Sequence, residues 1–409
     1  MPARAEARGL DLVTRVPSFR LLFLATLGSG FGTWLAFVAL AIDVKDRTDS
    51  GPWVSALLIA DVLPAVVIGL LAGPLVDRLS RKGLMIGSDL LRAAIFCLLP
   101  FASSAGVIVL LAALAGVGTG IFRPAVYAGL PNLVDDEDLP RANGLIQGVE
   151  NLAWAVGPLL GGLVVAAWGP DVAYWANAAT FVVSAALLGG IPGRLLQRGT
   201  AESHGHWRDL LEGVSFVLGS RSLVTVLVAW NVFMLASAGI NVAEVFLAKD
   251  TFDAGDFGYG LLVGATGLGL VLGSLAAGML LDRGSVSHVY SGSILLVGIA
   301  VAAGALAPNV WVAAGCVLVV GAANGTAVVC NALFVQRGSP DALRGRVFTV
   351  LMSSSFGVLA LGMIVSGPLT DAVGPRWVWG ASAVLAGLSA VLALVLSRGI
   401  QPEAVPEPT

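Results

Sequence analysis

Three carboxylates stand in stretches that otherwise read as hydrocarbon: Asp61 in "LLIADVLPAVVIGLLAG", Glu150 in "GLIQGVENLAWAVGPLLGG" and Glu244 in "AGINVAEVFLAK". Taking a carboxylate out of water disfavours its charged form, which is the property a proton carrier needs. The first candidate for proton coupling is Asp61, followed by Glu150 and Glu244. Two simpler readings stand beside this one: Asp61 faces water, and Glu244 forms an outer salt bridge with Lys249. Asp89, Arg92, Arg123 and Glu150 all fall roughly 10–15 Å from one end of their apolar runs, at about 1.5 Å per residue. Two acids and two bases at one level make a neutral cluster. Asp89 and Arg92, at i and i+3, share a helix face as structural glue. Arg123 and Glu150 are left as a pair across two helices, and for Glu150 structural and proton-coupling roles both remain open.

The elements that must position these groups follow from composition. The chain is 57% hydrophobic and only 12% charged, with a mean hydropathy of +0.88. A soluble fold of this length cannot bury so much apolar surface. Runs of about 20 apolar residues without strict alternation predict membrane helices rather than a barrel. Twelve such spans can be placed, so the fold class is all-α and integral to a membrane. The expected domains are a six-helix bundle over 1–192, a linker with an amphipathic helix over 193–221, and a second bundle with a short tail over 222–409. Seventeen Lys and Arg residues fall on one side, and only Lys45, Arg47, Lys249 and Arg376 on the other. The rich side holds both termini and is expected to be cytoplasmic in a cell membrane. Trp53, Trp168, Trp175, Trp311, Trp377 and Trp379 at the outer ends fit an interfacial belt. The first span reads as an uncleaved anchor.

The chain repeats itself at an offset of 205 residues. Gly73, Asp77 and Arg78 map onto Gly278, Asp282 and Arg283; Gly116 and Gly120 onto Gly321 and Gly325; Arg141 onto Arg346; Gly157 and Gly162 onto Gly362 and Gly367; and "GP" at 169–170 onto "GP" at 374–375. Six spans per half make the repeats parallel, an arrangement that favours two bundles and alternating access.

"GPLVDRLSRK" at 73–82 resembles the loop signature between the second and third helices of the major facilitator superfamily, with Ser80 where Gly is usual. The resemblance covers essentially the whole chain. It implies a cytoplasmic latch made of Gly73, Asp77, Arg78, Arg81 and Lys82, echoed by Asp282 and Arg283. In the fifth span, Gly144, Gly157, Pro158, Gly161 and Gly162 resemble the antiporter signature, with Ala153 in place of a usual Gly. Small residues there let the helix press on a partner. "SDLLRA", "FRPAVYAGLPNLV", "LPRANGL" and "RGRV" further resemble the twelve-span drug:proton antiporters that export macrolides, tetracyclines and siderophores. In such relatives a polar or acidic residue often follows "SxxG" in the first helix; here "SGFGT" offers Thr33.

Phe31, Trp34 and Phe37 on the first span and Trp230 and Phe233 on the seventh are candidates to line a cavity. Their size suits a bulky amphipathic solute better than a sugar. The expected partners are such a solute, protons and the lipid bilayer, with the chain a monomer and a proton gradient as the energy source. No cofactor is expected. His204 and His206 read as solvated and Cys97, Cys316 and Cys330 as structural, so no metal site is expected. The absence of a basic stripe argues against nucleic acid. An enzyme is disfavoured because the chain has no HExxH motif, P-loop or nucleophile–base arrangement. Uptake, facilitated diffusion or lipid movement on the same fold, or a transport-inactive scaffold or sensor, are the alternatives to proton-driven efflux.

Overall fold

A computed structural model describes residues 11–71, 79–196 and 206–397. Every regular element among them is helical, and twelve helices are long and apolar enough to cross a bilayer. The first six are α1 (Pro17–Thr48), α2 (Gly51–Leu71), α3 (Arg81–Leu98), α4 (Ala105–Gly129), α5 (Leu139–Trp168) and α6 (Pro170–Gly189). A shorter helix, α7 (His206–Gly219), precedes α8 (Arg221–Phe246), α9 (Gly255–Leu281), α10 (Val286–Ala305), α11 (Val310–Gly338), α12 (Asp341–Val373) and α13 (Pro375–Leu396).

Local chemistry sets the helix starts. Ser80, Ser104, Ser220 and Ser285 each accept a backbone N–H three residues on, and Asn309 Oδ1 accepts from Trp311 and Val312, both at 3.1 Å. These caps satisfy donors that a helix start leaves unpaired. The two "GP" pairs form matching junctions. Gly169 and Gly374 take φ values of 80° and 87°, a region where a side chain is strained, and Pro170 and Pro375 then start α6 and α13.

Two compact units result. One holds the described residues up to 196 apart from Ser50–Ser55; the other holds those six residues and 206–397. The first turn of α2 therefore groups with the second unit, which places a boundary inside a span that the sequence assigns wholly to the first bundle. The linker helix is present as α7 and packs on α12: Glu212 accepts from Arg346 Nη1 at 2.6 Å. Trp53, Trp168, Trp175, Trp311 and Trp377 are exposed, as an interfacial belt requires, whereas Trp379 is fully buried and donates its indole N–H to the Ile240 carbonyl.

The repeat extends to the contacts. A Cβ at Gly116 would lie 2.7 Å from the Asp61 carbonyl oxygen, and one at Gly120 would lie 2.6 Å from that of Ala65. Offset by 205 residues, Gly321 and Gly325 meet the carbonyls of Thr266 and Leu270. Thus α2–α4 and α9–α11 are the same backbone-to-backbone packing made twice. On α5, Gly157 closes on the Trp34 Cβ and Gly161 on the Leu35 carbonyl, which joins it to α1. Pro158 and Gly162 are buried on the same helix, which runs on through the proline. Gly144 departs from expectation: it is exposed with nothing within 4 Å of where its Cβ would be, so it brings no helix close.

One substitution made at two sites tests this difference. Gly161→Ala forces a methyl group to within 2.6 Å of the Leu35 carbonyl oxygen and is expected to cost about 1–3 kcal/mol. Gly144→Ala is expected to be neutral or to stabilise by up to about 1 kcal/mol. Unfolding midpoints of the purified protein in detergent check both.

Candidate functional site

The first unit carries two ion pairs of opposite character. On α3, Arg92 Nη2 donates to Asp89 Oδ1 at 2.5 Å, with both side chains almost wholly buried. The Arg92 guanidinium lies between two rings, 4.6 Å from the centroid of Phe122 and 4.2 Å from that of Phe181. Gly118 makes room for its stem. A pair this dry and enclosed ties α3 to α4 and α6.

The second pair faces outward. Arg123 Nη2 on α4 donates to Glu150 Oε2 on α5 at 2.9 Å, and the side chains are 59% and 21% exposed. Tyr127, one turn from Arg123, donates to the same Glu150 oxygen at 3.2 Å and to Gln147 Oε1 at 3.4 Å; Gln147 Nε2 donates to Asn151 Oδ1 at 3.3 Å. Arg123 lies six residues from the end of α4, and Glu150 eleven residues into α5, so both sit roughly 9–16 Å inside their spans. Exposed charge at that depth is costly against hydrocarbon and is tolerated against water. This face of the first unit therefore borders an aqueous path. The four-residue cluster read from depth resolves into one dry pair and one wet pair, with the partners the spacing predicted.

An aromatic group adjoins the wet pair. Trp154 follows Glu150 by four residues on α5, one turn along the same face. Its ring stacks on that of Trp34, with centroids 5.6 Å apart and planes at 20°, and Trp34 meets Phe37 edge-on at 5.4 Å. Trp34, Phe37, Phe31 and Trp154 are all half-buried. In the second unit, Trp230 and Phe233 contact each other at 4.9 Å and are 8% and 2% exposed, so they present little surface to a solute.

The remaining acids differ from one another. Asp61 is half-buried on α2, and its carboxylate has no hydrogen bond or ion pair among the described residues. Glu244 is buried on α8 with Oε1 unpaired among the described residues, beside the buried ring of Tyr259. The alternative partner for Glu244 is engaged elsewhere: Lys249, in a π-helical turn at Leu247–Thr251, pairs with Asp256 at 2.5 Å. Thr33 bonds back to the Ser29 carbonyl at 2.7 Å.

Of the latch residues, Gly73, Asp77 and Arg78 lie outside the described residues. Among the described residues, Arg81 and Lys82 pair with backbone carbonyls rather than with an acid. Arg81 Nη1 donates to the carbonyls of Ala128 and Leu196 at 2.9 and 3.2 Å, and Lys82 Nζ to those of Gly189 and Ile191 at 2.6 and 2.7 Å. They cap the C-terminal ends of α4 and α6, where the helix dipole and unpaired carbonyls favour a cation. Asp282 and Arg283 are exposed at the end of α9 and form no ion pair among the described residues.

Sequence reasoning missed Trp154 and Tyr127, although each stands four residues from a charge it had singled out. Two residues before Lys45, Asp43 reads from the sequence as an interfacial residue. Asp43 is instead buried, accepting from Tyr174 at 2.9 Å and Arg47 Nε at 2.6 Å, while Arg47 Nη1 reaches the Ala102 carbonyl at 2.8 Å. No local signal marked that staple, because Tyr174 is 131 residues away in sequence.

Twelve membrane-length helices in two units that repeat one another, with a water-facing charge pair inside a span, define a membrane transporter of the major facilitator type. A family model described as transmembrane secretion effector, within that superfamily, matches residues 13–404, and the chain belongs to that family. The chain is 29% identical over 386 residues to the multidrug efflux pump Tap of Mycobacterium tuberculosis (strain ATCC 25618 / H37Rv), covering 88% of each chain. It is 24% identical over 351 residues to macrolide efflux protein A of Streptococcus pyogenes, covering 82% of this chain and 85% of that one. In fold it is similar to a crystal structure of the nucleoside transporter NupG, with TM-score 0.77 at 15% identity, covering 93% and 99% of the two chains. These relatives and this fold are those of transporters, not enzymes.

Breaking each ion pair should separate the dry one from the wet one. Arg92→Met leaves Asp89 charged or unpaired in the core and is expected to cost about 3–5 kcal/mol. Arg123→Met removes an exposed partner and is expected to cost about 0–1 kcal/mol. Equal losses of unfolding midpoint in the two variants would contradict the assignment.

Proposed function

We propose that this chain is a proton-coupled exporter of amphipathic small molecules, drugs among them, working by alternating access. The observation that carries the reading is the water-facing Arg123–Glu150 pair beside the Trp34–Trp154 stack in the first unit. A few polar groups next to an aromatic surface suit solutes with a polar group on a large apolar body. The relatives named for efflux of multiple drugs and of macrolides support export as the direction.

Proton coupling is assigned first to Asp61. Among the described residues its carboxylate has no partner that would hold it ionised, and its backbone lies at the α2–α4 contact, so a change of charge there acts at a tightly packed seam. Thr266 occupies the repeat-equivalent position in the second unit, so the shared scaffold does not call for an acid there. Glu150 is the second candidate and Glu244 the third. The Lys and Arg asymmetry supports a multi-pass protein of the inner membrane with both termini in the cytoplasm. The internal pair of six-span halves supports a monomer as the working unit.

Substrate-triggered proton movement tests the proposal. The protein is reconstituted into liposomes holding a pH-sensitive dye, and macrolides, tetracyclines and cationic dyes are added in turn. Wild type is expected to move protons when a transported solute is added. Asp61→Asn is expected to abolish that movement while solute counterflow continues. Solute flux without proton movement in wild type would replace antiport with facilitated diffusion.

A further inference from the structure

The Arg123–Glu150 pair has a lopsided geometry. Arg123 is the more exposed partner at 59%, sits on a long flexible side chain, and spends one nitrogen on the bond. Glu150 is only 21% exposed, is also held by Tyr127, and keeps Oε1 uncommitted among the described residues. The acid is the fixed member and the base the movable one. An exposed ion pair of this sort is weak, so a second cation can displace Arg123 at little cost.

The surroundings favour such a cation. Trp154 stands one turn from Glu150, and its ring stacks on Trp34. Tryptophan is the side chain whose face attracts a cation most strongly, and the attraction grows where water is scarce. Gly144 and Gly148 on α5 have nothing within 4 Å of their missing side chains, which leaves room on that exposed stretch of the helix. None of this is dictated by the shared scaffold. The repeat-equivalents of Arg123 and Glu150 are Val328 and Ser355, and that of Trp154 is Leu359.

We infer that Glu150 and the Trp34–Trp154 stack form a subsite for the cationic group of a planar or bulky organic cation, and that Arg123 is a built-in competitor occupying the carboxylate until the solute arrives. The chain's own guanidinium stands in for the solute's charge, so the acid is not left unpaired in the empty protein. A solute without positive charge gains only the aromatic surface. A solute with a carboxylate meets Glu150 as a like charge, although Arg123 offers it a partner.

This inference rests on the efflux reading, and binding measurements separate the two. The full-length protein in lipid nanodiscs is titrated with a cationic rhodamine ester and with fluorescein, an anion on the same xanthene ring system, following dye anisotropy. The rhodamine is expected to bind more tightly than fluorescein. Glu150→Gln is expected to weaken rhodamine binding about 10- to 100-fold, the range for a lost hydrogen bond to a charged group. Trp154→Leu is expected to weaken it roughly 3- to 30-fold. Arg123→Gln should strengthen it by up to about fivefold, as removal of a weak competing pair would. That gain also shows that altering the pair leaves the fold competent, and Glu150→Asp, which keeps the charge, should recover part of the loss. Weaker rhodamine binding in Arg123→Gln, or fluorescein binding that depends on Arg123, would overturn the subsite and make the guanidinium the recognition group. Wild-type strength in Glu150→Gln would overturn it as well. Failure of both dyes and of the macrolides and tetracyclines to bind would defeat the efflux reading and the subsite with it.

Discussion

In hydrocarbon, helices gain nothing from burying apolar side chains against one another, because lipid is equally apolar. Association must come from close van der Waals contact, which requires helices to meet at their backbones. That constraint governs both units. Gly116 and Gly120 let α4 reach the carbonyls of α2; Gly321 and Gly325 let α11 reach those of α9 in the same register. Gly32 packs on Asn177 of α6, and Gly239 on Ser382 of α13, which stands 205 residues beyond Asn177. The scaffold is one solution to the lipid problem, used twice.

The charges do not follow the duplication. Asp61, Asp89, Arg92, Arg123 and Glu150 have Thr266, Ile294, Val297, Val328 and Ser355 as their equivalents, and Glu244 has Ala39. A residue that the packing needs is expected in both copies; a residue kept in one despite its cost in lipid needs another reason. For Asp89 and Arg92 the reason is structural, since the pair is buried among aromatic rings and joins three helices. For Arg123 and Glu150 the reason we propose is functional, since an exposed pair at that depth contributes little to stability. Among the described residues, the first unit therefore carries both of these ion pairs, and the second contributes the same frame with Glu244 as its buried acid.

Much of this was legible in the sequence. Twelve spans, the repeat and both ion pairs follow from hydropathy, offset and helical spacing, because these are periodic or local properties. What was less legible depended on three-dimensional partners. Arg81 and Lys82 read as a latch because their charge is conspicuous, but the groups they serve are backbone carbonyls of helix ends, which leave no mark in side-chain chemistry. Gly144 and Gly157 are the same residue type in one motif, yet only one meets another helix. Trp230 and Phe233 resemble Phe31 and Trp34 in type and spacing, and which pair is enclosed depends on neighbours far along the chain. The stack of Trp34 on Trp154 brings together residues 120 apart.

The central claim is that the Arg123–Glu150 face is in water inside the membrane and is where solute binds. Thiol labelling tests this most directly, since methanethiosulfonates react with thiolates that only water allows to form. In a background with Cys97, Cys316 and Cys330 replaced, single cysteines are placed at Tyr127 and Gln147 beside the pair and at Leu110, an exposed apolar residue of α4. Membrane vesicles are then treated with a charged methanethiosulfonate, with and without a transported solute. The account predicts fast labelling at 127 and 147, slowing in the presence of solute, and no labelling at 110. Inert thiols at 127 and 147, or labelling indifferent to every transported solute, would contradict it.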